Sequence, residues 1–357
     1  MARLNVDEWE AEALERLSPM VADYYRSGSR SERTLRNNRS AYERWVLRHR
    51  VLVDVSLRTQ AARILGHEVA TPIAVAPTAF HRLAHDEGEV ATARGAGAAG
   101  AAMILSTLSN SPVERVVAEA SGPVFFQLYV EKDRGRCRAL VDRVRAAGCK
   151  ALVVTVDAAV LGMRERDVRN GFHLPDGLSM PNIEGEFTDV PAAAGNSGLA
   201  DWVERALDPS LSFKDLEWLA SVAGIPVVAK GVCRGDDAIR CVDHGAAGVV
   251  VSNHGGRQLD GGQATLDALP EVVESVDGRA AVWVDGGVRS GVDALIALAL
   301  GADAVLVGRP VLWGLTLGGA DGVREVLQLL NSQLDEAMAL VGAPSLPDIT
   351  RDLVRRA

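Results

Sequence analysis

Short runs of small and branched apolar residues recur along the chain, each followed by a turn and a stretch with helical periodicity. The runs are PIAVAPTA (72–79), AAMILSTL (101–108), VFFQLYV (124–130), ALVVTVDA (151–158), PVVAKGV (226–232), GVVVSNHG (248–255), AVWVDGGV (281–288) and AVLVGRP (304–310). Near-continuous apolar strands alternating with helices predict a parallel sheet covered on its outer face, and eight such units predict closure. The expected fold is α/β, a (β/α)8 TIM barrel with an N-terminal helical extension and a long lid loop after strand 4. A doubly wound open sheet is the alternative, but eight units with no reversal point favour a barrel. The spacing between runs is uneven, so no solenoid repeat is expected.

At 357 residues the chain fits one such domain, 1–357, with a helical lead-in over 1–70 and the barrel over 71–340. Tyr24 and Tyr25 lie in a short lead-in segment ending at Gly28. One connection is too long. Residues 159–211 separate strand 4 from a helix starting near Ser212, and they include NGFHLPDGLSMPNIEGEFTD. Loops beyond about 12–15 residues are usually functional or disordered. This one leaves the C-terminal end of a barrel strand, where active sites of this architecture lie, so a lid is expected.

Side chains two apart in a strand share a direction. Polar residues appear at that spacing at strand ends: Gln127 and Tyr129, Thr155 and Asp157, Ser252 and His254. Ser106, Lys230 and Asp285 occupy matching late positions in strands 2, 5 and 7. One buried Thr or Gln is ordinarily a satisfied core residue; nine polar groups at one rim describe a pocket.

After strands 7 and 8 come DGGVRSG (285–291) and GRP (308–310). Barrels often bind phosphate there, through glycine amides and a helix N-terminus, and Arg289 and Arg309 would add charge-assisted contacts. Ordinary turns with surface arginines would suit either loop alone; the pairing favours phosphate. GAGAAG (95–100) matches a dinucleotide fingerprint but follows a helical stretch and precedes a strand, the reverse of what that site needs. It is expected to be small residues packing closely, not a Rossmann site.

Charge narrows the function. With 38 Lys and Arg against 47 Asp and Glu, the net charge of −9 argues against nucleic acid. The arginines of 26–50 are interrupted by acidic residues and read as a solvated helical face. Cys137, Cys149, Cys233 and Cys241 form no CxxC, so reduced thiols of a cytoplasmic protein are expected, with no metal. MARLNVDEWEAEALERL has no apolar h-region, and no apolar run reaches the roughly 18 residues of a membrane span. A soluble protein with a small-molecule partner and no membrane partner is expected.

His254 alone among the seven histidines lies at the rim, between Ser252 and Arg257. Asp157 is placed to orient its ring and stabilise the protonated form. Arg257 and Arg164 suit a carboxylate. Lys230 would either offset negative charge on a cofactor ring or form a Schiff base.

SNHGGRQLD, with APTA, FFQLYV, TVDAAVLGMRERD, KGV, DGGVRSG and GRP in order, resembles the FMN-dependent 2-hydroxy-acid oxidases and dehydrogenases. That family includes glycolate oxidase, lactate oxidase, flavocytochrome b2 and mandelate dehydrogenase. The similarity runs from the YY-x-SG segment to GAPSLPDI. The resemblance implies that FMN is the cofactor and that a 2-hydroxy acid is oxidised to a 2-oxo acid. It makes His254 the base and Asp157 its partner, with Tyr129 and Arg257 completing the catalytic group. Arg257 and Arg164 would bind the substrate carboxylate, with Tyr24 and Tyr129 hydrogen-bonding nearby. Thr78, Ala79, Ser106, Gln127, Thr155, Lys230 and Ser252 would hold the flavin ring and ribityl chain, and Asp285, Gly287, Arg289, Gly308 and Arg309 the ribityl and phosphate end. A homotetramer is implied as well.

The chain departs from the family pattern at three places. Leu108 stands where glycolate-type members commonly carry a bulky aromatic, Met163 where many have an arginine, and SGSRSE replaces SGA-x-D-E. Leu108 continues the direction of Ser106, so it should face the substrate and leave room for a ring. With the lid stretch RERDVRNGFHLP, this resembles mandelate or 4-hydroxymandelate oxidases and implies an aryl substrate, in the (S) form. With no haem domain before the barrel, dioxygen is the expected acceptor and hydrogen peroxide the product. The alternatives are a glycolate- or lactate-type oxidase and a quinone-linked mandelate dehydrogenase. More remote are a flavin-dependent isomerase, a Schiff-base aldolase and a non-catalytic binding barrel.

Overall fold

The computed structural model describes residues 3–183 and 198–357. Eight parallel strands close into a barrel: β1 (Ile73–Val75), β2 (Met103–Ser106), β3 (Val124–Leu128), β4 (Leu152–Thr155), β5 (Val227–Val232), β6 (Gly248–Val251), β7 (Ala281–Asp285) and β8 (Ala304–Val307). Each pairs with its neighbour in sequence, and β8 returns to β1. All eight lie within the runs that the apolar pattern marked.

The helices begin with the lead-in, α1 (Val6–Arg16), α2 (Pro19–Arg26) and α3 (Arg33–Glu43). Those after the first three strands are α4 (Gly88–Ala98), α5 (Val113–Glu119) and α6 (Arg134–Ala146). α7 (Glu165–Arg169) and α8 (Gly198–Ala206) lie in the long connection after β4 over which a lid loop, 159–211, is expected, and give it two helical segments; residues 184–197 fall outside the described residues. The covering layer resumes with α9 (Phe213–Val222), α10 (Gly235–Asp243), α11 (Thr265–Val276), α12 (Gly291–Ala299) and α13 (Arg309–Val341). α9 starts where the sequence places it, because Ser212 and Asp215 form a reciprocal capping box.

The lead-in is not wholly helical. Ala62–Ile64 and His67–Val69 form a hairpin, and Trp45–Leu47 pairs antiparallel with Val354–Arg356, joining lead-in to C-terminus.

The barrel interior follows the period of two. Ala74, Ile104, Phe125, Val153, Val228, Val250, Trp283 and Leu306 form one buried apolar cluster, capped below by Ile64 and Val69 of the hairpin. Phe125 and Trp283 stack inside it at 5.8 Å. Two residues further along β2 to β7 the same column presents Ser106, Gln127, Thr155, Lys230, Ser252 and Asp285. The apolar lower layer thus supports a polar upper one at the C-terminal end.

GAGAAG ends α4, and its tight packing is against α13 more than the sheet. A Cβ on Gly95 would lie 2.4 Å from the Ala320 carbonyl oxygen, and one on Gly97 would lie 2.2 Å from Ser121 Oγ. Gly95→Val should therefore destabilise the fold by overpacking, by about 1–3 kcal/mol or more. Thermal unfolding should register the loss while cofactor affinity of the folded protein stays unchanged. Loss of cofactor affinity without loss of stability is what a dinucleotide fingerprint would require.

Candidate active site

A cleft with about 1170 Å³ of empty space opens at the C-terminal end of the barrel. Its walls bring together Thr78, Ala79, Ser106, Leu108, Gln127, Tyr129, Thr155, Lys230, Asp285, Gly287, Arg289, Gly308 and Arg309 with Tyr24, Arg164, His254 and Arg257. Asp157 and Ser252 stand behind that wall. Residues far apart in sequence meet because every strand delivers its last inward-facing side chains to the same rim.

His254 follows β6 in a left-handed conformation, φ 60°, continued by Gly255 and Gly256 at 62° and 76°. A histidine rarely adopts that conformation, and here it turns the imidazole back over the barrel mouth. Nδ1 lies 3.1 Å from Asp157 Oδ1, and Nε2 lies 3.3 Å from the Tyr129 hydroxyl. Burial pushes His254 below the ordinary histidine value, more than the Asp157 carboxylate raises it. Burial would raise Asp157, but the neighbouring imidazole and Lys230 outweigh it and hold the carboxyl below its usual range. A neutral ring donating Nδ1–H to an ionised Asp157 keeps its lone pair on Nε2, towards Tyr129 and the cleft. That is the tautomer of a general base.

Lys230 is buried, donates to Ser252 Oγ at 2.9 Å and pairs with Asp285 Oδ2 at 3.2 Å. Burial alone would lower its pKa, but Asp285 and Asp157 raise it above the usual lysine value. A lysine held protonated is a poor Schiff-base nucleophile, which favours the charge-offsetting role of the two left open. Ser252, expected beside the cofactor, is fully buried and braces Lys230 and the His254 backbone N–H, 3.1 Å away. Gln127 accepts from Ser106 Oγ at 3.1 Å and donates to Thr155 Oγ1 at 2.9 Å, a polar chain across three strands.

The arginines divide. Arg164 is buried with Nε unpaired, and burial, reinforced by Arg257, pushes it down to about 10. One terminal nitrogen of Arg257 donates to the Tyr24 and Ser27 carbonyls at 2.6 and 2.9 Å, and its guanidinium lies over the Tyr24 ring. Arg309 and Arg289, expected to act alike, differ. Each nitrogen of Arg309 donates to a carbonyl, of Tyr25, Gly255 or Ser27, at 2.8–3.2 Å. Among the described residues the Arg289 side chain donates only to the carbonyl of its neighbour Val288 and leaves a buried Nε without partner. Burial lowers both, Arg309 to about 9, so both guanidinium groups would gain from a bound anion.

These features fit FMN. Arg289 Nε and Asp285 Oδ1 are buried polar atoms with no partner among the described residues, at the end of the cleft that includes Gly308 and the start of α13. They offer a donor and an acceptor of the kind that a phosphate and a ribityl hydroxyl would use. The glycines there serve packing as well: a Cβ on Gly287 would lie 2.1 Å from the Asn38 carbonyl oxygen. Gly256 meets α3 in the same way, 2.6 Å from Leu35 N.

Several wall residues carry no sequence signal. Leu161, Leu199, Val203 and Leu207 line the cleft from the long connection, the last three four residues apart along α8 and its end. Apolar lid residues resemble core residues until the fold places them. His81 is buried, with Nε2 2.5 Å from Thr78 Oγ1 and Nδ1 2.8 Å from Thr92 Oγ1. Tyr25 donates to the Phe80 carbonyl at 2.6 Å, fixing the turn that carries Thr78 and Ala79.

The family described as FMN-dependent dehydrogenase matches residues 13–356. An L-lactate oxidase of Nostoc sp. is 52% identical over 351 residues, covering 97% of this chain and 96% of that protein. Glycolate oxidase of Spinacia oleracea is 47% identical over 347 residues, covering 97% and 94%. A crystal structure of mandelate oxidase with (S)-4-hydroxymandelic acid superposes with a TM-score of 0.95 at 42% identity, covering 99% of each chain.

The two C-terminal arginines should respond differently to Met substitution. Arg289→Met should weaken cofactor binding in a fluorescence titration and barely shift the melting temperature. Arg309→Met should lower the melting temperature more, since charge-assisted bonds to three carbonyls, each worth about 1.5–3 kcal/mol, are lost. Equal effects on both readouts would mean that the bonding difference has no consequence.

Proposed function

The chain belongs to the FMN-dependent dehydrogenase family, and on that premise we propose how its residues carry the reaction and which substrate they accept. The activity is FMN-dependent oxidation of a 2-hydroxy acid. The proposed substrate has an aryl side chain, (S)-mandelate or 4-hydroxymandelate, and dioxygen is the proposed acceptor, giving hydrogen peroxide. That the named relatives are oxidases supports dioxygen.

The observation that carries the mechanism is the His254–Asp157 pair beside two buried or half-buried arginines. Arg164 and Arg257 would clamp the substrate carboxylate, with Tyr24 beside Arg257. The substrate hydroxyl carbon is then held near His254. Nε2 takes a proton from the substrate, and the Tyr129 hydroxyl 3.3 Å away steadies the oxygen left behind. Asp157 stabilises the imidazolium that forms. FMN, when bound, would supply the acceptor for the two electrons and the second hydrogen that leave the substrate. Thr78, Ala79, Ser106, Gln127, Thr155 and Lys230 would hold its ring and ribityl chain, with Ser252 acting from behind through Lys230. Asp285, Gly287, Arg289, Gly308 and Arg309 would hold the ribityl and phosphate end. The Lys230 cation would offset negative charge on the ring.

His254→Ala should retain flavin and lose about 10² to 10⁴ in kcat, the usual contribution of a general base. Because the neutral imidazole is the active form, kcat/KM should rise with pH through the His254 titration. Burial places that limb below the ordinary histidine range. Asp157→Asn removes a group that raises the His254 pKa, so the limb should move further to acid while the rate falls. A His254→Ala enzyme reducing its flavin at the normal rate would overturn the assignment.

The substrate reading rests on the apolar part of the cleft lining, to which Leu108, Leu161, Leu199, Val203 and Leu207 contribute. Hydrocarbon there leaves a ring's faces in apolar contact, worth about 2–3 kcal/mol for a buried phenyl group. The 52% identity to an L-lactate oxidase favours a second reading, a short aliphatic acid. Oxygen uptake with mandelate, lactate and glycolate separates the two. Mandelate should show the highest kcat/KM, and Leu108→Trp should penalise it most. Faster turnover of lactate or glycolate by the unmutated enzyme would select the aliphatic reading.

A further inference from the structure

The loop carrying His254 does not hold its left-handed turns alone. Asn253, immediately before it, forms a reciprocal amide pair with Asn38 of α3. Asn38 Nδ2 donates to Asn253 Oδ1 and Asn253 Nδ2 donates to Asn38 Oδ1, both at 2.8 Å. Asn253 Oδ1 also accepts from Gly256 N–H at 3.0 Å, and its Nδ2 donates to the Gln263 carbonyl at 3.0 Å. One side chain thereby closes the turn around His254, and its partner in the lead-in fixes that side chain.

Asn38 also reaches the other end of the cleft. It is buried, and its backbone oxygen and side chain lie against Gly286 and Gly287, the glycines that follow β7. Thr265 N–H points at Asn38 Oδ1 from 3.4 Å, and Thr265 Oγ1 donates to the Asp285 carbonyl at 2.5 Å. Four residues further along α3, Tyr42 donates to the Gly286 carbonyl at 3.2 Å. A helix outside the barrel thus touches both the loop of the proposed base and the loop of the proposed ribityl and phosphate contacts.

We propose that Asn38 and Asn253 act as one positioning unit, an amide clamp that sets His254 against Asp157 and ties its loop to the Gly286–Gly287 loop. Only an amide can both donate and accept in the same plane, so neither Asp nor Ser replaces it fully. Asn38 is buried and each amide both donates to and accepts from the other, so the clamp holds a turn that a histidine at φ 60° would otherwise leave. The inference rests on His254 being the base.

The test uses the flavin-loaded enzyme, with steady-state turnover measured over a range of substrate concentration and pH and anaerobic flavin reduction at saturating substrate. Asn38→Ala should lower kcat by about ten- to a hundredfold, the cost of a small displacement of catalytic groups, with KM changed by no more than about threefold. The acid limb of kcat/KM should move to lower pH, because a base loosened from Asp157 loses the carboxylate that raises its pKa. Asn38→Ala/Asn253→Ala should be no worse than Asn253→Ala alone, since both singles break the same unit. Arg36→Ala, on the exposed side of α3, should leave every parameter unchanged. Should Asn38→Ala not fold, Asn38→Asp keeps the shape and one of the two bonds, and is read by the same criteria.

A normal kcat and pH limb in the folded Asn38 variant would overturn the clamp, as would losses in the double variant that multiply. His254→Ala assayed alongside separates the two readings. If it keeps its activity the base assignment has failed; if it is inactive while Asn38→Ala is normal, only the clamp has failed.

Discussion

Positive charge held at the mouth of the barrel is the constraint on which the rest of this structure depends. Arg164 and Lys230 are buried there and Arg257, Arg289 and Arg309 are half-buried, with Asp157, Asp167 and Asp285 as the nearby carboxylates. Taking cations out of water is costly unless each is paired or hydrogen-bonded. Lys230 is neutralised by Asp285, and Arg309 and Arg257 rest on backbone carbonyls. What remains, above all at Arg164 and Arg289, matches two anions: a substrate carboxylate near His254 and a phosphate near α13. The same surroundings suit the proposed base, because burial, with Lys230 and Arg164 nearby, favours a neutral imidazole at His254.

The carbonyls that support those cations come largely from the lead-in. Tyr24, Tyr25 and Ser27 offer their backbone oxygens to Arg257 and Arg309, and Tyr25 and Asn38 brace the turns after β1, β6 and β7. The lid is tied to the same segment, since Arg166 of α7 bonds Glu32 and Asp23. Without the residues before β1, Arg257 and Arg309 would lose the Tyr24, Tyr25 and Ser27 carbonyls on which they rest. The N-terminal lead-in is therefore part of the site and not an appendage to it.

Much of this was legible in the residue order. Eight apolar runs marked eight strands, because a strand covered on both faces has to be apolar along its length. Inward polar residues at their ends marked the rim, because alternation carries one column from Ile104 to Ser106 or from Trp283 to Asp285. That logic stops where a strand stops. Leu199, Val203 and Leu207 line the cleft from a helix whose position no periodicity encodes, and Asn38 and His81 look like ordinary helix and loop residues until their partners are known.

The sequence by itself determined the barrel and the identity of the side chains at its mouth, since each follows from local periodicity and residue chemistry, while the pairing of His254 with Asp157 was only implied until the fold brought them together. Only the tertiary structure decided which of those groups are free to act. It placed Ser252 behind Lys230, held Lys230 as a cation, and bound Arg309 to three carbonyls while leaving Arg289 Nε unpaired. The physical reason is that hydrogen-bond capacity and charge are spent on neighbours, and in a closed barrel those neighbours come from distant parts of the chain.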